Sequence, residues 1–163
     1  MISPELLRRF PFFNFMDDPQ LKVVATLANQ VNFEKDEQIV EAGKPADNLY
    51  FLIDGSVGYY FVVTTEHDPY YKKEYFISHI NPGEVFGISA LIEPYVYTAT
   101  LRADKASRVI KIDASALRAL CEVDTRLSCG LHKAMARAAM ERLQLTRVQL
   151  VAETAAKPRN TAR

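Results

Sequence analysis

The sequence has no excess of either charge, because twenty basic residues balance twenty acidic ones. A chain without net charge has no long-range field toward nucleic acid or anionic lipid, so any such binding would be local. No apolar run reaches the roughly 20 residues that a membrane-spanning helix requires, and the first residues lack the basic and apolar order of a signal peptide. These absences predict a cytoplasmic protein with no membrane partner.

The chain also lacks the residue groups on which catalysis and metal binding usually depend. Cys121 and Cys129 do not have C-x-x-C spacing, and His67 and His79 have no further ligand at a metal-binding spacing. There is no Walker loop, no cluster of carboxylates and no nucleophile paired with a base and a supporting third residue. The sequence therefore predicts no enzyme, no disulfide, no metal site and no certain cofactor.

Hydrophobic periodicity divides the 163 residues into three parts of one domain. Helical spacing predicts two short helices within residues 4–31, and the second has an N-cap at Asp17 or Asp18. Short strands bounded by turns follow over residues 33–112. Residues 115–152 are helical again, with Asp124 as the cap of the long last helix.

Three details of the strand region are specific enough to test. Asp54-Gly55 is a signal for a two-residue hairpin, residues 65–73 form a polar loop at a hairpin tip, and Tyr97 to Ala103 alternates like a strand. Several short strands in succession predict a small barrel or roll. The whole is mainly β with flanking α, and residues 153–163 are expected to be a flexible tail.

The stretch from Asn81 to Ala103 carries the clearest site signal. It contains a turn at Asn81-Pro82-Gly83, and Gly87 then opens a short apolar helical turn. The first N–H groups of such a turn have no intrahelical partner. The backbone N–H groups of three residues are therefore predicted to face an anion, those of Ile88, Ser89 and Ala90.

This stretch resembles the phosphate-binding cassette of the cyclic-nucleotide-binding domain family, whose pattern is G-E-x-F-G-E-x-A-L, a loop, and R-[ST]-A. The matching pairs are Gly83-Glu84, Phe86-Gly87, Ala90-Leu91, Thr98-Ala99 and Arg102-Ala103. Two positions differ from the pattern. The family's glutamate, which takes the ribose hydroxyl, falls on Ile88, and the family's arginine, which takes the cyclic phosphate, falls on Tyr97.

A second segment, from Gly43 through Leu49 to Val57, resembles the front half of the same family's β-roll, and the words L-L-R-R-F-P-F-F resemble its lead-in helix. The likeness extends from about Leu6 to Leu150. It implies a double-stranded β-roll, or jelly-roll barrel, of about eight strands with N-terminal helices and a long C-terminal helix. The domain would span residues 1–152, with the cassette at residues 83–103.

The resemblance also implies a set of ligand-binding residues. Thr146 belongs to it because Arg142-Leu143-Gln144-Leu145-Thr146 resembles the central helix of the catabolite activator protein group, where the threonine reaches the base of the nucleotide. The full set is Gly87, Ile88, Ser89, Ala90, Tyr97, Thr98 and Thr146.

The two departures from the family pattern predict weak binding of a cyclic nucleotide. Arg102 lies five residues beyond Tyr97 and is expected on the opposite face of the strand. Arg142 or Arg147 of the long helix are the alternative cations. Ile88 and Tyr97 make the floor of the pocket more apolar, which also fits a less polar ligand or a filled pocket.

The long helix, about 40 Å over residues 125–152, is too long to pack only on a small roll. It has one apolar seam that Arg142 and Gln149 interrupt and a second beside it, which together predict a homodimer. The first seam comprises Leu131, Met135, Ala138, Leu145 and Ala152, and the second comprises Ala136, Ala139, Leu143 and Leu150. Met135→Glu is expected to separate the two copies.

The resulting hypothesis is a regulatory sensor module that binds a small molecule, with a cyclic nucleotide or another small anion as the implied ligand and with degenerate ribose and phosphate contacts. One alternative is a dimeric interaction domain that binds no nucleotide. Another is the sensor fragment of a larger transcription regulator. No sequence-specific DNA binding is expected of this chain, because the resemblance ends where a DNA-binding domain would begin. Lys157-Pro158-Arg159 could touch a phosphate.

Overall fold

A computed structural model describes residues 1–157. Eight strands form the middle of this chain, and helices flank them at both ends. The helices are α1 (Pro4–Arg8), α2 (Asp18–Thr26), α3 (Ala114–Val123) and α4 (Thr125–Ala156), with 3-10 turns at Pro11–Phe13 and Ile88–Leu91. The strands are β1 (Ala28–Phe33), β2 (Gln38–Val40), β3 (Asn48–Asp54), β4 (Val57–Thr65), β5 (Asp68–Ile80), β6 (Val85–Phe86), β7 (Thr100–Ala103) and β8 (Ser107–Asp113).

The strands form two four-stranded sheets, in the orders β1-β8-β3-β6 and β2-β7-β4-β5, and all pairs are antiparallel. Four consecutive residues of β3, Leu49 to Leu52, are buried, so this strand is covered on both faces. The Phe51 ring contacts three N-terminal aromatic rings, those of Phe10, Phe12 and Phe13, at centroid distances of 5.6, 5.0 and 4.7 Å. The predicted β-roll with flanking helices is confirmed.

The predicted N-terminal boundary is wrong. Helix α2 begins where Asp17 and Gln20 form a reciprocal capping box, but it ends at Thr26, and Ala28–Phe33 is a strand. This strand pairs with β8, with Ala28 opposite Ile112. The apolar spacing of Ala28 is helical in sequence, but a pairing partner more than eighty residues away determines its conformation.

One predicted turn joins elements other than the expected ones, and the predicted hairpin at residues 65–73 is present with a shorter loop. Asp54-Gly55 connects β3 and β4, which belong to different sheets, so it is a turn between sheets and not a hairpin. Gly55 has a φ of 104°, and a Cβ at this position would lie 2.2 Å from the Ser107 hydroxyl oxygen. The hairpin lies between β4 and β5. Strand β5 begins at Asp68, so most of the predicted polar loop is strand.

Helix α4 begins at the predicted cap, since the Asp124 side chain accepts a hydrogen bond from the Leu127 N–H at 2.9 Å. Its first half belongs to the core, because Leu131 is fully buried and Met135 is 3% exposed. Met135→Glu would therefore disturb the fold of the single chain and does not test dimerisation. The helix continues to Ala156, four residues into the expected tail, and residues 158–163 of that tail, including Pro158 and Arg159, lie outside the described residues.

Two polar residues that interrupt the apolar seam of α4 have a structural role. A guanidinium nitrogen of Arg142 donates to the Val85 carbonyl oxygen, and Gln149 Nε2 donates to the Ile77 carbonyl oxygen at 2.6 Å. Both hydrogen bonds attach the helix to the backbone of the roll. No helix within residues 1–157 has the length and apolar character needed to cross a membrane.

Candidate functional site

The cassette turn depends on Gly87 for two reasons. Its φ is 72°, in the left-handed region that residues with a Cβ rarely adopt. A Cβ at Gly87 would also lie 3.2 Å from the Asn48 carbonyl oxygen and 3.3 Å from atoms of the Tyr50 and Tyr97 rings. The chain then turns into the 3-10 segment Ile88–Leu91, so the predicted short helical turn is present.

Two of the three backbone N–H groups predicted to face an anion remain available. The Ala90 N–H donates to the Gly87 carbonyl oxygen at 3.1 Å, and Ala90 itself is fully buried. Among the hydrogen bonds of residues 1–157, none uses the N–H of Ile88 or Ser89. Ala90 therefore supports the turn, and the donors that remain are those of Ile88 and Ser89.

The Tyr97 hydroxyl is already engaged. It donates to the Asn48 carbonyl oxygen at 2.6 Å and accepts from the Asn48 N–H at 3.2 Å. Burial raises the pKa of Tyr97, and it raises the pKa of the neighbouring Tyr50 as well. Tyr97 thus joins the cassette to the start of β3 and has no spare O–H for a ligand. The strand β7 begins only at Thr100, so Tyr97 to Ala99 precede it.

A cavity of about 210 Å³ lies between the cassette and α4. Five of the seven predicted site residues line it, namely Gly87, Ile88, Ser89, Tyr97 and Thr98. Val40, Leu101 and Ala139 contribute apolar surface to the same lining. Thr146 is not in this lining. It is exposed on α4, where its hydroxyl donates to the Arg142 carbonyl oxygen at 2.9 Å.

The structure distinguishes between the candidate cations. Arg142 lines the cavity, and burial lowers the pKa of its guanidinium. Arg147 is exposed on α4 and is absent from this lining. Arg102 belongs to the cassette sequence but is absent from the lining of this cavity, and its guanidinium pairs with Glu74 at 2.5 Å and covers the Tyr60 ring at 4.2 Å. Arg142 is thus the cation that α4 brings to the cassette.

A second, larger cavity of about 330 Å³ lies on the other side of Arg142. Its lining includes Phe12, His79 and two carboxylates, those of Glu84 and Glu141. His79 Nδ1 lies 2.7 Å from a carboxylate oxygen of Asp104. Arg142 lines both cavities and so forms a shared wall.

Sequence reasoning missed one arginine that supports the cassette. Arg118 of α3 donates to the Ala90 carbonyl oxygen at 2.6 Å, and its guanidinium lies 4.2 Å from the centroid of the Tyr95 ring. It thereby binds the end of the 3-10 turn that Gly87 begins. Arg118 is separated from Ala90 by 28 residues, and no local pattern in the sequence indicates the contact.

Comparison with known proteins is consistent with this arrangement. Residues 30–124 match the family model described as the cyclic nucleotide-binding domain. A similar crystal structure is that of a protein from Geobacter metallireducens GS-15 that is named as a cyclic nucleotide-binding protein. Its sequence is 34% identical to this chain, and the two structures superpose with a TM-score of 0.76. The alignment covers 88% of this chain and 99% of that one.

Two curated relatives are also similar. The cAMP-activated global transcriptional regulator CRP of Pasteurella multocida is 27% identical, over 82% of this chain and 59% of the regulator. The cAMP-dependent protein kinase regulatory subunit of Dictyostelium discoideum is 27% identical, over 72% of this chain and 35% of the subunit. The chain therefore spans between about a third and three fifths of the length of these relatives.

Proposed function

The chain belongs to the cyclic nucleotide-binding domain family, and from this membership we propose that it is a regulatory sensor module that binds a small molecule in the cassette cavity. The two relatives named for cAMP make a cyclic nucleotide the first ligand to test. We expect its ribose and phosphate contacts to be degenerate, because the positions that the family resemblance assigns to them hold Ile88 and Tyr97.

The hydrogen bonds of the Tyr97 hydroxyl support the expectation of degenerate contacts. Both of its hydrogen bonds go to the Asn48 backbone, so it offers neither a charge nor a free donor to a cyclic phosphate. Ile88 offers no hydrogen bond from its side chain to a ribose hydroxyl. Charge-assisted contacts of this kind contribute about 1.5–3 kcal/mol each. Losing both would weaken a micromolar site by about 10²- to 10⁴-fold.

Isothermal calorimetry with cyclic AMP tests this proposal. The natural protein should bind in the high-micromolar range or more weakly, and Ile88→Glu with Tyr97→Arg should tighten binding by about 10²-fold or more. Tyr97→Arg also removes the two bonds to Asn48, so thermal unfolding must first show that the double variant folds. Ile88→Glu alone keeps those bonds and serves as the second variant. Micromolar binding by the natural protein would contradict the assignment of degenerate contacts.

We further propose that the module is a homodimer through α4. The surface of this helix opposite Arg142 and Gln149 carries an apolar outer stripe, comprising Ala136, Met140, Leu143, Leu150 and Val151. Four of these side chains are between 49% and 71% exposed in the single chain. Ala136, Leu143 and Leu150 recur every seven residues, which is the spacing of a helix that pairs with another helix.

The outer stripe also supports the second candidate function, a dimeric interaction domain that binds no nucleotide. That candidate requires the dimer but no ligand. Failure of cyclic AMP to bind both the natural protein and the folded double variant, in a protein that dimerises, would favour it. The sensor part of a larger transcription regulator remains the third candidate, and we expect no sequence-specific gel shift with this chain alone.

A further inference from the structure

The cavity beneath the cassette has a single charged side chain in its lining. Among residues 1–157, that side chain belongs to Arg142, and the nearby carboxylates of Glu84 and Glu141 line the other cavity. The remaining lining is apolar or carries uncharged polar groups. Glu84 and Glu141 act on Arg142 from the side of the other cavity, but neither lines the cassette cavity and neither forms an ion pair with Arg142 among the described residues. On the cassette side, a half-buried cation without a carboxylate in the lining favours a negatively charged occupant.

The present partner of the Arg142 guanidinium is a neutral group, the Val85 carbonyl oxygen. An arginine guanidinium carries five N–H donors and stays protonated in proteins, so one carbonyl does not satisfy it. Hydrogen bonds from a guanidinium to an ionised oxygen are about twice as strong as those between neutral groups. A phosphate or carboxylate in the cavity would therefore compete well for this guanidinium.

The other walls restrict the body of the ligand. Val40, Ile88, Leu101 and Ala139 present hydrocarbon to the cavity. Its volume of about 210 Å³ is below the range of about 300–1,000 Å³ that is usual for pockets that hold drug-sized ligands. A compact molecule with an apolar body fits these walls better than a nucleotide does.

We propose that the ligand of the cassette cavity is a compact oxyanion with an apolar body, a small organic phosphate or carboxylate, and that Arg142 is its cationic partner. This inference rests on the proposed function, which makes the cassette cavity the ligand site. Because Arg142 belongs to α4, the charge of the ligand acts directly on the helix that carries the outer stripe. The cation that binds the anion is thus Arg142 of α4, and not a side chain at the cassette position that Tyr97 occupies.

Phenyl phosphate and benzoate are suitable probes, and calorimetry with the full chain measures their dissociation constants. Arg142→Gln should weaken binding of the preferred probe by about 10- to 100-fold, because it removes a charge-assisted contact. Arg142→Lys keeps the positive charge but lacks the planar guanidinium. Its dissociation constant for the probe should lie between those of the natural protein and Arg142→Gln. Arg147→Gln removes the same charge from an exposed position of the same helix and should leave binding unchanged. Thermal unfolding of each variant checks that the fold is retained.

Binding of phenyl phosphate but not benzoate would identify a phosphate ligand, and the reverse would identify a carboxylate. Equal losses in Arg142→Gln and Arg147→Gln would overturn the assignment of Arg142. If neither probe binds but Ile88→Glu with Tyr97→Arg binds cyclic AMP, the compact-anion proposal fails while the sensor function stands. If that variant also binds nothing, both fail.

Discussion

Leu143→Glu is expected to convert a dimer of this chain into folded monomers. Leu143 lies at the centre of the outer stripe of α4 and is 49% exposed in the single chain. Complete burial of a leucine side chain stabilises by about 1.5–3 kcal/mol, so covering the exposed half would contribute about 0.8–1.5 kcal/mol. A two-fold dimer contains the residue twice.

The milder change Leu143→Ala should therefore weaken the dimer by about 1.5–3 kcal/mol, or about 10- to 150-fold in dissociation constant. Leu143→Glu should have a larger effect, because it would place two unpaired carboxylates in a desolvated contact. Neither change touches the core of the roll, which the first half of α4 completes with Leu131 and Met135. Both Leu143 variants should consequently keep the folded structure of the single chain.

Sedimentation equilibrium over a concentration series measures the dissociation constant, and circular dichroism follows the fold. Val123→Glu is the matched control, since Val123 is 82% exposed at the end of α3, outside the outer stripe. The natural protein and this control should sediment as dimers at tens of micromolar. A monomeric mass for the natural protein, or an unchanged dissociation constant in both Leu143 variants, would refute the reasoning.

Three further predictions follow from individual contacts. Tyr97→Phe should lower the free energy of unfolding by about 1–3 kcal/mol, because it leaves the Asn48 backbone without its two hydrogen bonds, and urea unfolding measures this. Gly130→Ala should lower the free energy of unfolding by up to about 2 kcal/mol, because its Cβ would lie 2.1 Å from the partly exposed Phe15 ring and this clash outweighs the gain of about 0.5–1 kcal/mol from replacing a helical glycine; the loss should shrink when Phe15→Ser is added. The backbone N–H bonds at the α4 cap lower the pKa of Asp124 from 3.8, so its stabilising contribution is present above that pH and is lost as the pH falls through the lowered pKa. Asp124→Asn keeps a capping oxygen and should make the acid part of the stability profile shallower.

Local chemistry made several features predictable from the sequence. The side chains of Asp17 and Asp124 cap their helices by accepting hydrogen bonds from N–H groups only three residues away. The turn at Gly87 depends on a residue that tolerates a positive φ. The succession of short strands indicated the β-roll, because the alternation of apolar residues is a property of each strand. The cassette pattern itself was contiguous enough to indicate the family.

The sequence by itself therefore determined the fold class, the caps and the cassette, whereas the tertiary structure decided what each of them contacts. Residues 28–33 are a strand because β8 pairs with them, and the Asp54-Gly55 turn joins two sheets because β3 pairs with β8 and not with β4. The Tyr97 hydroxyl donates to the backbone of Asn48, which is 49 positions away in the sequence. The Arg142 guanidinium donates to the carbonyl oxygen of Val85, which is 57 positions away. Such contacts form only when the sheets and α4 pack together, because their energies depend on the distance between the groups in space. No short stretch of the sequence contains that distance.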